Sequence, residues 1–169
     1  MHDQPRYEPL ERSTFFEDGR SARPFVEGTV ARGHLKTDEH FYTGKVNGAL
    51  VTTLPFPATK EVLDRGHERY NIFCSPCHDR VGNGQGMIVQ RGFRQPPSLH
   101  IDRLRQAPLG HFFDVMTNGF GTMYSYADRI APQDRWAIVA YIRALQMSQN
   151  ATLDDMPVEE RSKLFERGK

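Results

Sequence analysis

The chain has 169 residues, enough for one domain with extensions and too few for two full-sized ones. Its 22 Lys+Arg nearly balance 21 Asp+Glu, with no basic stripe, which argues against nucleic acid as a partner. No apolar run approaches the roughly 18 residues of a membrane-spanning helix; the best stretch, Trp136 to Leu145, is interrupted by Arg143.

Residues 1–58 read as an extended, mostly irregular arm. They hold Pro5, Pro9, Pro24, Pro55 and Pro57, many charges and no long amphipathic pattern. One small hairpin is expected, because the alternating stretches Phe41 to Val46 and Ala49 to Leu54 flank Asn47-Gly48.

A helix is predicted from Thr59, whose hydroxyl suits an N-cap, with Val62, Leu63, Tyr70 and Phe73 near one face and Gly66 as a flat spot. It runs directly into Cys74. Residues 79–107 form a Gly- and Pro-rich loop with a helical turn at Asp102 to Gln106. Pro108 to Asn118 reads as a helix with Phe112, Val115 and Met116 inward and Gly119 as its stop. Gly119 to Ile130 is loop. The clearest helix is Pro132 to Met147, with Pro in the first turn, Asp134 near the positive end and an apolar series from Trp136 to Leu145. A charged tail, Pro157 to Arg167, suits one further surface helix. The expected fold class is all-α, divided into an arm (1–58), a helical domain (59–147) and a tail (148–169).

The chemistry centres on Cys74-Ser75-Pro76-Cys77-His78, which contains the only two cysteines. Cys-x-x-Cys-His is the attachment pattern of c-type haem. Each thiol can add to one vinyl of a single porphyrin, and the adjacent His78 reaches the iron from the same side. A structural zinc site wants four ligands, and there is no second cysteine pair. A redox Cys-x-x-Cys belongs near a βαβ pattern, which is missing, and does not need His78. The cofactor expected is therefore one covalent haem c, with its iron.

For the second axial ligand the candidate is Met123, in the loop Gly121-Thr122-Met123-Tyr124-Ser125-Tyr126 between two helices. Met116 and Met147 lie in helix patterns and are expected in the core, and Met87 follows His78 too closely to reach the opposite face. His100 and His111 are the alternatives. Thioether ligation stabilises the reduced iron relative to a second imidazole.

An iron-ligating imidazole donates its other N–H to a fixed acceptor. The Pro97 carbonyl, in Pro96-Pro97-Ser98-Leu99, is the candidate, with Leu99 against the porphyrin edge. Arg91 and Arg94 can neutralise a propionate through forked hydrogen bonds, or stand as solvated loop charges. Tyr124, Tyr126 and Trp136 can donate to propionates or fill core. No constellation of an enzyme active site stands out, so no catalytic residue is expected in the chain alone. No leader segment is visible at Met1-His2-Asp3-Gln4, whereas c-type haem is attached outside the cytoplasm; the expectation is a mature chain with its leader removed.

Residues 59–147 resemble a class I cytochrome c domain: a helix entering Cys-x-x-Cys-His, a Pro-x-Leu loop, a methionine loop and a C-terminal helix with aromatics. The flanks carry a closer resemblance. Asp3 to Leu10, Phe15 to Pro24, Val26 to Gly33, Tyr70 to His78, Gly92 to Ser98 and Met123 to Tyr126 are similar to the monohaem cytochrome c subunit of bacterial alternative complex III. That resemblance implies an electron-transfer subunit of a membrane-bound quinol:electron-acceptor oxidoreductase. Its implied partners are pentahaem cytochrome and iron–sulfur subunits, membrane subunits, and a soluble cytochrome c or terminal oxidase as acceptor. It also implies a periplasmic location with a lipid anchor through an upstream cysteine. The other readings are a free or tethered periplasmic shuttle and a haem-based small-molecule sensor.

Overall fold

A computed structural model describes residues 4–158, 160 and 161. The chain divides into two compact units, Met1–Thr37 and Asp38–Lys169.

The first unit has no helix or strand element among its described residues. Its one ordered knot is a loop closed by an antiparallel bridge between Arg12 and Arg20. The Ser13 amide donates to the Gly19 carbonyl (3.0 Å), Gly19 taking the left-handed conformation (φ +68°) that a glycine adopts at no steric cost. Ser13 is buried; its hydroxyl donates to the Tyr7 hydroxyl and accepts from the Phe15 amide. Arg23 pairs with Asp18 (2.6 Å) and lies over the Phe16 ring. Around this knot Leu10, Phe15, Phe25 and Val26 are left almost wholly exposed.

The second unit is mostly helical. It opens with α1 (Glu39–Thr43) and a minimal hairpin of β1 (Lys45–Val46) and β2 (Ala49–Leu50). The Asn47-Gly48 turn stands where expected, both residues with positive φ, but the strands are two residues long. A helix replaces the expected first strand because Asp38 caps it, accepting from the Phe41 amide (2.9 Å), and Gly44 ends it at φ +72°. Residues 38–58 pack on the helical core through Phe41, Val51, Leu54 and Phe56. Gly110 makes the close approach possible, since a Cβ there would stand 2.1 Å from the Gly44 carbonyl oxygen.

The helices that follow are α2 (Lys60–Phe73), α3 (Ser75–His78), α4 (Met87–Gln90), α5 (Asp102–Arg105), α6 (Leu109–Asn118) and α7 (Pro132–Asn150). Thr59 caps α2, as its sequence position suggests, and Pro132 occupies the first turn of α7. The α2 and α7 helices cross at Gly66, over the Ala137 carbonyl. Tyr70, one turn further, packs on Tyr141 with ring centroids 5.3 Å apart. Behind the crossing Trp136 stacks on Phe113 (4.5 Å) and donates from Nε1 to the Phe41 carbonyl, 2.8 Å away. That carbonyl belongs to a helix end with no partner inside its own helix. Tyr70, Phe113 and Trp136 are fully buried, and each stabilises the fold by on the order of 2 kcal/mol through apolar burial. Met116 is in this core, whereas Met147, expected there, faces solvent near the end of α7.

A 3-10 turn (Leu153–Asp155) follows α7, and most of the helix expected over Pro157 to Arg167 lies outside the described residues. Among the described residues no helix is long and apolar enough to cross a membrane.

Candidate haem site

The α2 helix delivers Cys74 at its C-terminal end, where the Cys74 amide still bonds back to the Tyr70 carbonyl (2.8 Å). The single turn α3 then sets Cys77 and His78 one turn of chain further on, their amides both donating to the Cys74 carbonyl. Pro76 suits this turn, because its missing N–H is one that a first turn leaves unpaired anyway.

Both thiols are free and partly buried. Burial pushes the Cys74 thiol up to about 12, with the neighbouring Cys77 adding to the effect. A thiol so far from ionisation is a poor redox nucleophile. Among the described residues no group of three or more His, Cys, Asp or Glu side chains gathers as an ion site.

His78 is largely enclosed. Burial lowers its pKa, while Asp79 pulls the other way. Its Nδ1 is buried with no hydrogen-bond partner, and its Nε2 has no protein partner among the described residues. The expected bond from the imidazole to the Pro97 carbonyl is not made in this structure, and Pro97 is exposed. Leu99 is buried and fixed at both ends of its backbone, its amide donating to Gly82 (2.8 Å) and its carbonyl accepting from Gln146 (2.7 Å).

The loop after His78 folds back on the attachment turn, main chain on main chain. Gly84 donates to the His78 carbonyl (2.9 Å) and Gly86 to that of Cys77 (3.0 Å). A Cβ on Gly84 would lie 2.4 Å from the Pro96 oxygen, and one on Gly86 would lie 2.3 Å from the Pro76 oxygen. Asp79 organises this loop, although the sequence gives it no role at the motif level. It adopts φ +58°, and its carboxylate accepts from the amides of Val81 (2.7 Å), Asn83 (3.2 Å) and Gln85 (3.2 Å). The Tyr70 hydroxyl donates to the Asp79 carbonyl (3.0 Å). An Asp immediately before a Gly-rich run is the signal that could have found it.

Met123 is partly buried and packs against the core, in company with Phe73, Cys74 and Tyr126. Its amide and carbonyl both pair with Phe120, at 3.0 and 2.9 Å, which makes a tight turn of the loop tip. Tyr126 lies edge-on to Phe73 (6.4 Å), and its phenol is pushed up by burial first and by the nearby Cys74 and Cys77 sulfurs next. Phe73, Cys74, Cys77 and Tyr126 are thus drawn to one region, and Met123 packs on the same core.

The other candidates fall elsewhere. Arg91 and Arg94 are exposed and form no ion pair among the described residues. Tyr124 is exposed. Trp136 is core, its one donor already given to Phe41. Of the alternative ligands, His100 donates from Nε2 to the Val81 carbonyl (2.7 Å), and His111 sits in the first turn of α6 against Phe112.

Two free thiols one turn apart, and an enclosed imidazole with an orphaned nitrogen, fit the attachment of a porphyrin through Cys74 and Cys77 with His78 toward its iron.

Residues 61–142 match the family described as cytochrome c oxidase, cbb3-type, subunit III. A cytochrome c6-like protein of Nostoc sp. is 27% identical over 93 residues, which is 55% of this chain and 79% of that protein. Among solved structures, a reducing HAO-like protein complex of Kuenenia stuttgartiensis has a chain similar at a TM-score of 0.48 and 21% identity. The match covers 63% of this chain and 54% of that one. The cofactor is haem c, covalently bound, with its iron.

Proposed function

We propose that this cytochrome c-type electron-transfer protein works as the monohaem subunit of a membrane-bound quinol:electron-acceptor oxidoreductase of the alternative complex III kind. In that setting it takes electrons from a multihaem subunit and passes them to a soluble cytochrome c or a terminal oxidase. The bound haem iron supplies the chemistry, alternating between ferric and ferrous forms one electron at a time.

The chain's own residues hold and orient that group. Cys74 and Cys77 would carry the thioether links and His78 would supply one iron ligand. Met123, on a loop that packs on the same core as Phe73, Cys74 and Tyr126, would supply the second iron ligand. Leu99, pinned by Gly82 and Gln146, supplies an apolar wall. With two iron ligands supplied by the protein, gaining or losing one electron would need little rearrangement of these residues. A small-molecule sensor would need one position open.

The observation that favours a subunit over a free carrier is the first compact unit. Among its described residues the only buried side chain is Ser13, and Leu10, Phe15, Phe25 and Val26 stand in solvent. A segment that buries so little apolar surface of its own gains order by covering that surface with a partner. The expected setting is the outer face of the cytoplasmic membrane, with the lipid anchor carried upstream.

Detergent-solubilised native membranes, separated by size and stained for haem, test the proposal. Co-migration of this chain with a multihaem cytochrome is expected. A chain that elutes alone without detergent, its first 37 residues intact, would overturn it.

A further inference from the structure

Arg135 is a buried arginine in a place where simple electrostatics disfavours it. It is only 4% exposed, it lies in the opening turns of α7, and no carboxylate pairs with it among the described residues. The N-terminal end of a helix carries partial positive charge, so a cation there gains nothing from the helix dipole. Burying an unpaired guanidinium is costly unless its donors are used.

Here the donors are used, and their targets form a pattern. Nε donates to the Ile130 carbonyl (3.1 Å), and Nη1 donates to the Thr117 hydroxyl. The plane of the guanidinium lies over Phe113, 4.6 Å from the ring centroid. Thr117 is in the last turn of α6 and Ile130 lies just before Ala131, the N-cap of α7, so the two acceptors are the two stems of the loop that carries Met123. The stems are joined at other points as well. Ser125 Oγ donates to the Thr117 carbonyl (2.6 Å), the Tyr126 amide to that of Met116 (2.9 Å), and the Ile130 amide to that of Tyr126 (2.9 Å). Arg135 alone reaches both ends with one rigid side chain.

We infer that Arg135 is a positioning residue that clamps the base of the 119–130 loop through Thr117 and Ile130, and so holds the Met123 sulfur at the iron. The inference rests on the reading of Met123 as the second axial ligand. A lysine could not replace it, because one ammonium lacks the planar fork that meets two acceptors from above the Phe113 ring. Loosening the clamp raises the fraction of time the loop stands away from the iron, and that fraction sets how readily an outside ligand enters.

The test uses the full-length holoprotein with R135Q, T117V and M123A variants. T117V removes one acceptor at nearly constant shape and serves if R135Q does not assemble. The readouts are carbon monoxide binding to the ferrous form and the near-infrared sulfur-to-iron band of the ferric form, both well below the unfolding temperature. We expect M123A to lose the band and bind carbon monoxide fastest. R135Q and T117V should bind it about tenfold faster than wild type and show a weakened band. Wild-type carbon monoxide behaviour and a full band in both R135Q and T117V would overturn the clamp, whatever their thermal stability. A full band in M123A would instead overturn the ligand reading, and the clamp with it.

Discussion

Gly66 lies directly against the carbonyl of Ala137: a Cβ at position 66 would stand 2.0 Å from that oxygen and 2.9 Å from the Tyr141 Cβ. The two nearest atoms, the Ala137 carbonyl oxygen and carbon, are main chain, so no rotamer change relieves the clash. Gly66→Ala must therefore separate α2 from α7. It should lower stability by about 3 kcal/mol, the upper range for overpacking. Thermal unfolding of the holoprotein measures this. A drop no larger than that of Gly92→Ala, where a Cβ meets open space although the backbone is left-handed, would refute it.

Met123→Ala should leave haem covalently attached while removing the sulfur-to-iron band and lowering the reduction potential, because thioether ligation stabilises ferrous iron. Redox titration with visible and near-infrared spectra checks both effects. An unchanged band would point to another methionine.

Asp79 accepts three amide bonds with one carboxylate and holds φ +58° without being glycine. Asp79→Ala removes the carboxylate that all three amides share and with it the local hydrogen bonds that help hold the positive φ. The combined loss should be about 3 kcal/mol, with hydrogen exchange accelerated at Val81, Asn83 and Gln85. Asp79→Asn keeps a local acceptor and tolerates the backbone, so it should lose about half as much. Wild-type stability and wild-type exchange at Val81, Asn83 and Gln85 in Asp79→Ala would show that the carboxylate does not order the loop.

His111 introduces a pH dependence. Burial lowers its pKa first, Arg103 adds to that, and Asp114 opposes both. A histidine with a depressed folded pKa takes up its proton more readily in the unfolded chain. Its contribution is therefore complete above the unfolded value of about 6.5 and is lost as pH falls below it. Denaturant midpoints between pH 5 and 8 should decline less steeply on the acidic side in His111→Gln than in wild type. Parallel profiles would assign the acid sensitivity to other groups.

The legible parts of the molecule were those whose signals are local. Thr59, the Cys74–His78 motif, the stop at Gly119 and the apolar run of α7 each declare themselves within a few residues. The segment from Phe41 to Val46 misled, because its alternation suits a strand while the deciding features lie at its ends, in the Asp38 cap and the left-handed Gly44. The packing of residues 38–58 on the core depends on Gly110 meeting Gly44, a long-range main-chain contact with no pattern in either neighbourhood. Arg135 was hidden for the same reason. A first-turn arginine reads as a solvated charge until Thr117, Ile130 and Phe113 are seen around it.

The close backbone packing around Gly84 and Gly86 bears on how this protein can diversify. At both positions the nearest neighbours are peptide groups, and there is no room for a side chain. Substitutions there break the site before they can adjust it. Variation that leaves this loop intact is thereby confined to positions whose side chains have space, such as the exposed Val81.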